Sequence, residues 1–585
     1  MDDTDAINRA IQAPGNRCGG GNATYGRFCE SSTITPALVY FPPGTYLVSR
    51  PLIMYYASQI VGDAVTPPTI KVQANYTNGQ LGLAVFDSLP YIPSGSGNQW
   101  HANQNNFFRQ LRNFVIDMTG GPLSCSGIHW QVAQATSMQN IVINMIPKDV
   151  ANNRQIGINM ENGSGGFFSD MVITGGYQGA YLGNQQFTTR SIRFDGCLTA
   201  IKMNFDWLWL FTQITIVNCD IGIDMTNGGV TNQAVGSLVI IDSNIAASQG
   251  IITAYIPGYS SPQAAGTLVI ERVDFTASMT AVAAAGGLNA RTILAGGQFV
   301  ELFAQGNIWT TAGQALNGQV FNGTACVYQN ASQTVYSAQE TTVQRKLAPI
   351  PRPSNLVDSS GAYIYRVKPQ YEQYSWADKF LSAKAFGLIG DGVADESVAM
   401  QNLFDTAAQQ GKIVYFDKGA YVVTTTIFVP KDLKITGELL SIIMCRGPYF
   451  QDEFNPKVMW KIGNPGEVGT VELSDLIFET QGPCAGAIMI EWNIKAAGPA
   501  MAGMWDAHWR IGGSAGTQLQ QNTCIKTPAV PIAPGHPKLS ACIGAFLLLH
   551  VTPQADGYFE NTWGWVADHE LDMDTREQIY IFNKA

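Results

Sequence analysis

Charged residues are scarce in this sequence of 585 residues: they make up 13%, against about 25% in typical soluble domains. An excess of positive charge is also absent, because 34 lysines and arginines stand against 44 acidic residues and the formal net charge is −10. The sequence shows no basic stripe that could bind the phosphate backbone of a nucleic acid, so nucleic acid is not an expected partner. With 60 glycines and 10% aromatic residues, the composition also excludes a disordered chain and a coiled coil.

Long apolar runs and clustered metal ligands are absent as well. The most apolar stretch, residues 543–549, is far shorter than the roughly 18 residues that a membrane helix needs, so no membrane association is expected. The ten cysteines contain no CxxC pair, and no cluster of histidine and cysteine has the spacing of a zinc site. We therefore expect neither a metal nor an organic cofactor.

Several features are typical of secreted proteins. Two cysteine pairs bracket loops, Cys18 with Cys29 and Cys524 with Cys542, and both a disulfide and a pair of buried thiols remain open for each. Sequons for N-glycosylation occur at Asn22, Asn75, Asn162, Asn322 and Asn330. The start of the chain is acidic and shows no signal peptide. We nevertheless expect an extracellular glycoprotein.

A duplication at long range is the most informative feature of the sequence. Residues 39–48 read Val-Tyr-Phe-Pro-Pro-Gly-Thr-Tyr-Leu-Val, and residues 414–423 read Val-Tyr-Phe-Asp-Lys-Gly-Ala-Tyr-Val-Val. Three further matches run in the same order along the chain: 2–11 with 395–404, 61–63 with 436–438, and 111–117 with 473–479. Four collinear matches indicate two copies of one structural unit.

The duplication divides the chain into two domains. We assign residues 1–348 to the first copy and residues 383–585 to the second, with a proline-punctuated linker over 349–382. The second copy has the motif 390–394 before its helix, and the first copy has no counterpart to this motif. The second copy is also shorter after its last match. We therefore expect the first copy to start late and the second to be truncated at its C-terminus.

Short apolar strands recur along the first copy, each followed closely by Asn, Asp or Gly. They begin at Phe114, Ile141, Met171, Ile192, Ile214, Leu238 and Leu268. Their spacing of 21 to 30 residues exceeds the roughly 8–12 residues of a β-sandwich, which is the alternative fold. The pattern predicts an all-β fold of parallel β-helix coils, with alternate side chains filling the interior and Asn, Asp or Gly at the corners.

The sequence resembles a known family at particular motifs. Residues 390–395, Gly-Asp-Gly-Val-Ala-Asp, followed by a helix and by Val-Tyr-Phe at 414–416, are similar to the opening of right-handed β-helices of the pectate lyase superfamily. The duplication and three further segments make the resemblance more specific, and together they resemble glycoside hydrolase family 55, the fungal β-1,3-glucanases. The segments are 182–187 (LGNQQF), 503–508 (GMWDAH) and 560–569 (ENTWGWVADH).

This resemblance carries expectations about fold and activity. It implies two tandem right-handed parallel β-helices side by side, with the substrate cleft between them. It also implies an exo-acting glucan 1,3-β-glucosidase that releases glucose from the non-reducing end of β-1,3-glucan with inversion, as a monomer and without a cofactor. An inverting enzyme needs two carboxyl groups about 6.5–9.5 Å apart. The resemblance places both glutamates beyond Ala585, so no catalytic residue is assigned, and Glu560 and Asp568 are fallback proton carriers.

Candidate substrate-binding residues combine aromatic rings with polar groups. Trp563 and Trp565 alternate on one strand, so both rings face the same side, where they can stack on pyranose rings. Amides, carboxylates and imidazoles nearby can bond to sugar hydroxyls. The candidates are Gln185, Gln186, Trp207, Glu560, Trp563, Trp565, Asp568 and His569. Each also has a structural interpretation: a buried tryptophan pair with an Asp–His bond, an internal amide ladder, or core packing.

Two other functions fit the same fold. A pectin-type polysaccharide lyase would commonly hold Ca²⁺ through clustered aspartates beside a basic residue, and the sequence shows no tight cluster of this kind. A non-catalytic glycan-binding β-helix would agree with the expected truncation. The leading hypothesis remains a hydrolase of β-1,3-glucan.

Overall fold

A computed structural model describes residues 1–13, 33–78, 82–93, 97–262, 264–286, 290–311, 315–316, 319–320, 338–524, 540–572 and 582–583. Helices in this part of the chain are short: α1 (Thr4–Gln12), α2 (Trp376–Lys379), α3 (Ser397–Gln410) and α4 (Gln521–Cys524). Over these described ranges, no helix has the length and apolar character required to cross a bilayer.

Strands dominate both copies. The strands before the linker are β1 (Ala37–Phe41), β2 (Thr45–Val48), β3 (Leu52–Ile53), β4 (Ser58–Gly62), β5 (Thr69–Val72), β6 (Ala84–Asp87), β7 (Gln110–Asp117), β8 (Ser126–His129), β9 (Ser137–Asn144), β10 (Ile156–Met160), β11 (Phe167–Thr174), β12 (Gln178–Asp195), β13 (Thr199–Thr212), β14 (Thr215–Met225), β15 (Ser237–Thr253), β16 (Thr267–Asp274), β17 (Thr280–Ala284), β18 (Thr292–Ala295), β19 (Phe299–Thr311), β20 (Ala315–Leu316), β21 (Gln319–Val320) and β22 (Ala338–Lys346). The later strands are β23 (Phe380–Ser382), β24 (Asp391–Asp395), β25 (Ile413–Phe416), β26 (Ala420–Val423), β27 (Ile427–Val429), β28 (Lys434–Cys445), β29 (Lys457–Ile462), β30 (Val468–Gly469), β31 (Glu472–Thr480), β32 (Ala487–Trp492), β33 (Lys495–Ala496), β34 (Gly503–Ile511), β35 (Ile543–Ala545), β36 (Leu547–Val551), β37 (Tyr558–Glu560), β38 (Trp563–Val566) and β39 (Phe582–Asn583).

The strands of the first copy up to β17 stack in three parallel ladders, and each ladder contributes a column of buried side chains, whereas β18, β19 and β22 at the end of the copy pair antiparallel. One column is Val39, Ile60, Leu111, Met138, Phe168, Thr189, Phe211, Ile240 and Ile270. The second is Ile70, Ile116, Ile143, Ile173, Phe194, Ile216 and Ile245. The third is Leu52, Phe86, Ile128, Ile158, Ala180, Ile201, Ile223, Ile251 and Val282. The chain returns to each ladder one coil later, as in a parallel β-helix, and parallel pairing excludes the β-sandwich.

One detail of the strand prediction is wrong. Phe114, Ile141, Met171 and Ile192 do follow one another along a single ladder. Leu238 instead pairs with a residue of β13 in a different ladder, because long strands such as β12 and β15 run through two corners and belong to all three ladders. An apolar-x-apolar sequence pattern predicts a strand, but it does not indicate to which ladder of the coil the strand belongs.

The second copy repeats this arrangement. Its buried columns are Val414, Ile435, Leu473 and Met504; Tyr421, Ile443, Phe478 and Trp509; and Ile427, Trp460 and Ile490. The first of these columns and the column that begins at Val39 contain the matched sequence segments in the same order. The matches therefore fall at equivalent ladder positions in the two copies. Among the described strands, no ladder joins β1–β22 to β23–β39.

Corners of the coils adopt the left-handed backbone conformation, as the sequence predicts. Asn113, Asp170 and Asp242 in the first copy have φ of 64°, 56° and 48°, and Asp475 and Asp506 in the second have φ of 56° and 50°. Asparagine and aspartate tolerate this region better than other residues that carry a Cβ. Positions 113 and 475 align with each other in the matched segments 111–117 and 473–479, and both have the left-handed conformation. The similarity between the two copies therefore includes the backbone conformation of this corner.

The predicted linker packs closely against the first copy. The Arg352 guanidinium donates hydrogen bonds of 2.8 and 2.9 Å to the two carboxylate oxygens of Asp242, and it lies 4.0 Å from the ring centre of Tyr363. At its far end, β23 pairs in parallel with β25, so the last linker residues join the sheet of the second copy. The linker is therefore held at both ends.

A disulfide joins Cys524 to Cys542, which confirms one of the two predicted pairs. Cys18 and Cys29 lie outside the described residues, as do three of the sequons: Asn22, Asn322 and Asn330. Of the remaining sequons, Asn75 is exposed and Asn162 is half-buried.

Candidate functional site

Charged side chains from both copies meet at the left-handed corners. Asp475 of the second copy accepts hydrogen bonds from Gln110 (2.9 Å) and Arg112 (3.2 Å) of the first copy, and from Lys368 of the linker (2.6 Å). The Lys368 ammonium is buried and also bonds to Asp506 at 2.6 Å. Burial opposes ionisation of Asp475, but the two neighbouring cations outweigh it and lower the pKa of this carboxyl to about 2. This network joins the two copies and the linker.

A second ion pair crosses between the copies further along the coils. The guanidinium of Arg190 on β12 donates to both carboxylate oxygens of Glu560 on β37, at 2.8 and 3.2 Å, and it also bonds to Asp170. The Tyr558 hydroxyl donates to the same glutamate. Burial raises the pKa of Glu560, while the bonds from Arg190 and Tyr558 favour the anion. Two donors from the first copy and one from its own strand thus hold Glu560 in place.

A cleft of about 490 Å³ opens beside this pair, between the two copies. Its walls include Phe167, Gln186 and Arg190 of the first copy, with Glu560 and Trp563 of the second. The predicted candidates Gln186, Glu560 and Trp563 thus come together although they are far apart in sequence. Aromatic rings beside an amide, a carboxylate and a guanidinium can bind a polar ring compound that has apolar faces.

The two predicted tryptophans do face the same side of their strand. Their ring centres lie 5.6 Å apart with 14° between the planes, and Trp563 also stacks on Phe107 of the first copy at 4.9 Å. Trp565 is buried behind this stack, whereas Trp563 is half-buried and lines the cleft. Trp565 therefore supports the ring of Trp563 and does not itself line the cleft.

Asp568 and His569 lie at the edge of this aromatic stack. The carboxylate and the imidazole Nδ1 are 2.7 Å apart, and Nε2 lies 2.8 Å from Oδ1 of Asn105 in the first copy. The hydrogen bond from His569 lowers the pKa of Asp568, so this exposed carboxyl is ionised at neutral pH and has no proton to donate. The pair joins the two copies, and neither residue is among the described residues that line the cleft.

The other two candidates lie elsewhere. Neither Gln185 nor Trp207 is among the described residues that line the 490 Å³ cleft. Gln185 lies next to Gln186 on an extended strand, where successive side chains point to opposite faces. Trp207 lies on β13 with 64% of its surface exposed. The core-packing interpretation of Trp207 is therefore wrong.

Three residues of the site carry no local signal in the sequence. Arg190 and Phe107 each complete a contact across the two copies, and Tyr558 bonds to Glu560 on its own strand. The only available hint is that Arg190 follows Asp170 at the spacing of one coil, next to a corner. Its main contact, the ion pair with Glu560, joins residues 370 positions apart. Such a contact leaves no repeating pattern in the sequence.

Comparisons with known proteins give consistent results. The family described as rhamnogalacturonase A/epimerase, pectate lyase-like, matches residues 1–224 and 380–447, which contain the openings of both copies. A probable glucan endo-1,3-beta-glucosidase of Arthroderma benhamiae is 44% identical over 654 residues, with 100% of this chain and 72% of that protein covered. A glucan 1,3-beta-glucosidase of Cochliobolus carbonum is 38% identical over 586 residues, with 99% and 68% covered. A Penicillium expansum protein called non-secreted LysM effector LysM15 is 36% identical over 591 residues, with 100% of this chain and 38% of that protein covered.

Proposed function

The chain belongs to glycoside hydrolase family 55, the β-1,3-glucan hydrolases with a pectate-lyase-like fold, and on this premise we propose that it binds its glucan in the 490 Å³ cleft between the two copies. The observation that carries the proposal is the convergence of Gln186, Glu560 and Trp563 from opposite walls on one cleft. Pocket volumes of about 300–1,000 Å³ are typical of sites for small organic ligands, so this cleft has room for a short oligosaccharide.

Each wall has a distinct role in this proposal. The Trp563 ring offers a face for the apolar side of a glucose ring, and its stack on Phe107 holds that ring in position. Gln186 is exposed in the cleft and supplies an amide donor and acceptor for hydroxyl groups. Glu560, held by Arg190, supplies a fixed carboxylate acceptor. Because Glu560 is already bonded to three donors, we assign it to substrate binding and leave the catalytic acid and base unassigned.

We further propose exo action from the non-reducing end, with inversion and release of glucose. The resemblance to the family supports this, whereas the Arthroderma benhamiae relative carries an endo name, so the mode of attack needs a direct test. Purified protein should release reducing sugar from laminarin and none from polygalacturonate. Exo attack gives glucose as the only early product, while endo attack gives a series of oligosaccharides. Proton NMR of the first product distinguishes inversion (α-glucose) from retention (β-glucose). An unsaturated uronide formed from polygalacturonate would instead support the lyase.

For the architecture, we propose two right-handed β-helices side by side, with domain 1–348, linker 349–382 and domain 383–585. Separate sets of ladders and equivalent registers support two coiled domains. The ion pairs between the copies support their side-by-side placement. We also propose that the protein is a monomer, which light scattering after gel filtration would test. A crystal structure would decide the handedness.

Secretion and glycosylation also remain proposals. A disulfide between Cys524 and Cys542 is typical of oxidising compartments, and Asn75 is exposed within its sequon. The Penicillium expansum relative is called non-secreted, so secretion of this chain is tested directly. Detection of the protein in the culture medium of its source, with a loss of mass on treatment with an N-glycosidase, would support both proposals.

A further inference from the structure

A second cavity, of about 250 Å³, lies between the first coils of the two copies. The described residues that line it are all different from those of the 490 Å³ cleft. Its opposing walls come from equivalent segments: Tyr40 and Val61 of the first copy face the cavity, as do their counterparts Tyr415 and Thr436 of the second. The duplication has therefore placed two copies of one outward surface opposite each other.

Aromatic rings dominate the mouth of this cavity. Tyr40 and Trp376 each have 53% of their surface exposed. One face of the Trp376 indole stacks on Phe380 at 5.0 Å and 13°, and its ring contacts Tyr415 in an edge-on arrangement at 4.8 Å. Large aromatic surfaces grouped at a concave, water-exposed place mark a ligand site more often than a random surface does. The rings form a platform with one open face.

Polar groups below the rings can bond to hydroxyls. The Nε–H of Arg112 is buried at the cavity and has no acceptor among the described residues. The Glu438 carboxylate accepts a main-chain hydrogen bond from Lys418 at 3.0 Å and a side-chain hydrogen bond from Tyr415, and it forms none of the ion pairs found in the described part of the chain. Asp475 also lines the cavity, but its charge is already balanced by Arg112 and Lys368. The cavity thus offers a donor without an acceptor among the described residues, the Nε–H of Arg112, and a carboxylate outside any described ion pair, that of Glu438.

The chemistry of these walls favours a neutral sugar. Arg112 and Lys368 are paired with Asp475, and Lys368 also with Asp506, so Glu438 is the one charged lining residue outside a described ion pair. A phosphate would be repelled by this carboxylate, and a cation would meet only this single carboxylate. The volume is below the roughly 300 Å³ at which pockets for larger organic ligands begin, which leaves room for one ring. Hydrolysis with inversion needs two available carboxyl groups, and of the two carboxyl groups among the described lining residues, Asp475 is held in ion pairs.

We propose that this cavity is a second, non-catalytic glucan-binding site that holds one glucosyl ring between Tyr40 and Trp376. The choice of glucan as the polymer rests on the proposed function, whereas the site itself rests on the cavity. Such a site would keep the enzyme on an insoluble polymer while another part of the chain enters the 490 Å³ cleft.

Binding to particles of insoluble β-1,3-glucan at 4 °C, measured by depletion from solution, tests the proposal. The comparison uses Trp563→Ala protein, in which the 490 Å³ cleft has lost the Trp563 ring, so that the second cavity contributes a larger share of binding. Adding Trp376→Ala or Tyr40→Ala should each lower the association constant roughly fivefold, as expected for the loss of one aromatic contact. Tyr259→Ala is the matched control, because this exposed aromatic residue lies in neither cavity, and it should leave binding unchanged.

Tyr40 lies on β1 and Trp376 lies on α2, so a local folding defect caused by one substitution does not affect the result of the other. The melting temperatures of all variants are compared to detect such defects. The site is refuted if both variants bind as well as the Tyr259→Ala control. The proposed function has a separate readout, glucose release from soluble laminarin by the unaltered protein. An inactive protein that depends on Tyr40 and Trp376 for binding would refute the hydrolase and support the site. An active protein whose binding is unchanged by both substitutions would support the hydrolase and refute the second site.

Discussion

Arg190 of the first copy and Glu560 of the second, 370 residues apart in the chain, form a buried ion pair with two parallel hydrogen bonds. The pair lies at the wall of the larger cleft, so it both joins the copies and shapes the site. A buried pair adds little net stability compared with apolar residues, but removing one partner leaves the other charge without compensation.

Arg190→Met should therefore destabilise the protein more than a surface change does. The uncompensated Glu560 carboxylate should cost about 3–5 kcal/mol in the free energy of unfolding. Urea denaturation measures this directly. In the double variant with Glu560→Gln, much of the loss should be recovered, because the buried charge is gone. If the double variant is as unstable as the sum of the two single variants, the pair does not interact as described.

Trp563→Ala should weaken catalysis on laminari-oligosaccharides. The variant loses the ring that lines the cleft and its stack on Phe107, so kcat/KM should fall by roughly tenfold if the glucose contact is equally strong in the ground and transition states. Most of the loss should then appear as a higher KM. Trp563→Phe keeps an aromatic face and should retain most of the activity. Unchanged kinetics in the alanine variant would remove Trp563 from the substrate site.

The stability of the protein should fall in acid through Asp475. Its folded pKa of about 2 is below the ordinary value of 3.8, so its contribution is fully present above about pH 4 and is lost as the pH falls toward 2. The shift corresponds to roughly 2 kcal/mol. Urea midpoints measured between pH 5 and pH 2 should show this loss in the unaltered protein. Asp475→Asn should have lower stability at pH 5 and a shallower decline, and equal slopes would contradict the assignment.

His508 should add a second acid dependence at higher pH. The imidazole is fully buried, neither ring nitrogen has a partner among the described residues, and burial lowers its pKa to about 4. A depressed histidine pKa means that stability is complete above about pH 6.5 and is lost as the pH falls toward 4. His508→Phe removes two unsatisfied polar atoms and should be stable to within about 1 kcal/mol at pH 7. Its melting temperature should also change less between pH 7 and pH 5 than that of the unaltered protein.

Much of the coil architecture could be read from the sequence. The matched segments at 39–48 and 414–423 fall at equivalent ladder positions, and corner residues such as Asn113 and Asp475 have the predicted left-handed conformation. The prediction went wrong where a strand runs through a corner, as at Leu238, because an apolar pattern is the same on every face of the coil. Of the predicted site residues, Gln186, Glu560 and Trp563 line the larger cleft, and Trp207 and Gln185 are not among its described lining residues.

The sequence alone determined which residues point inward and where the coils turn, because side-chain alternation and left-handed corners are local properties repeated many times along the chain. The tertiary structure alone decided how the two copies face each other. The contacts from Arg190 to Glu560 and from Arg112 to Asp475 each occur once, between residues hundreds of positions apart, and so they leave no repeating pattern. Both cavities lie at that contact, and their lining depends on the relative position of two complementary surfaces, a property that neither copy carries by itself.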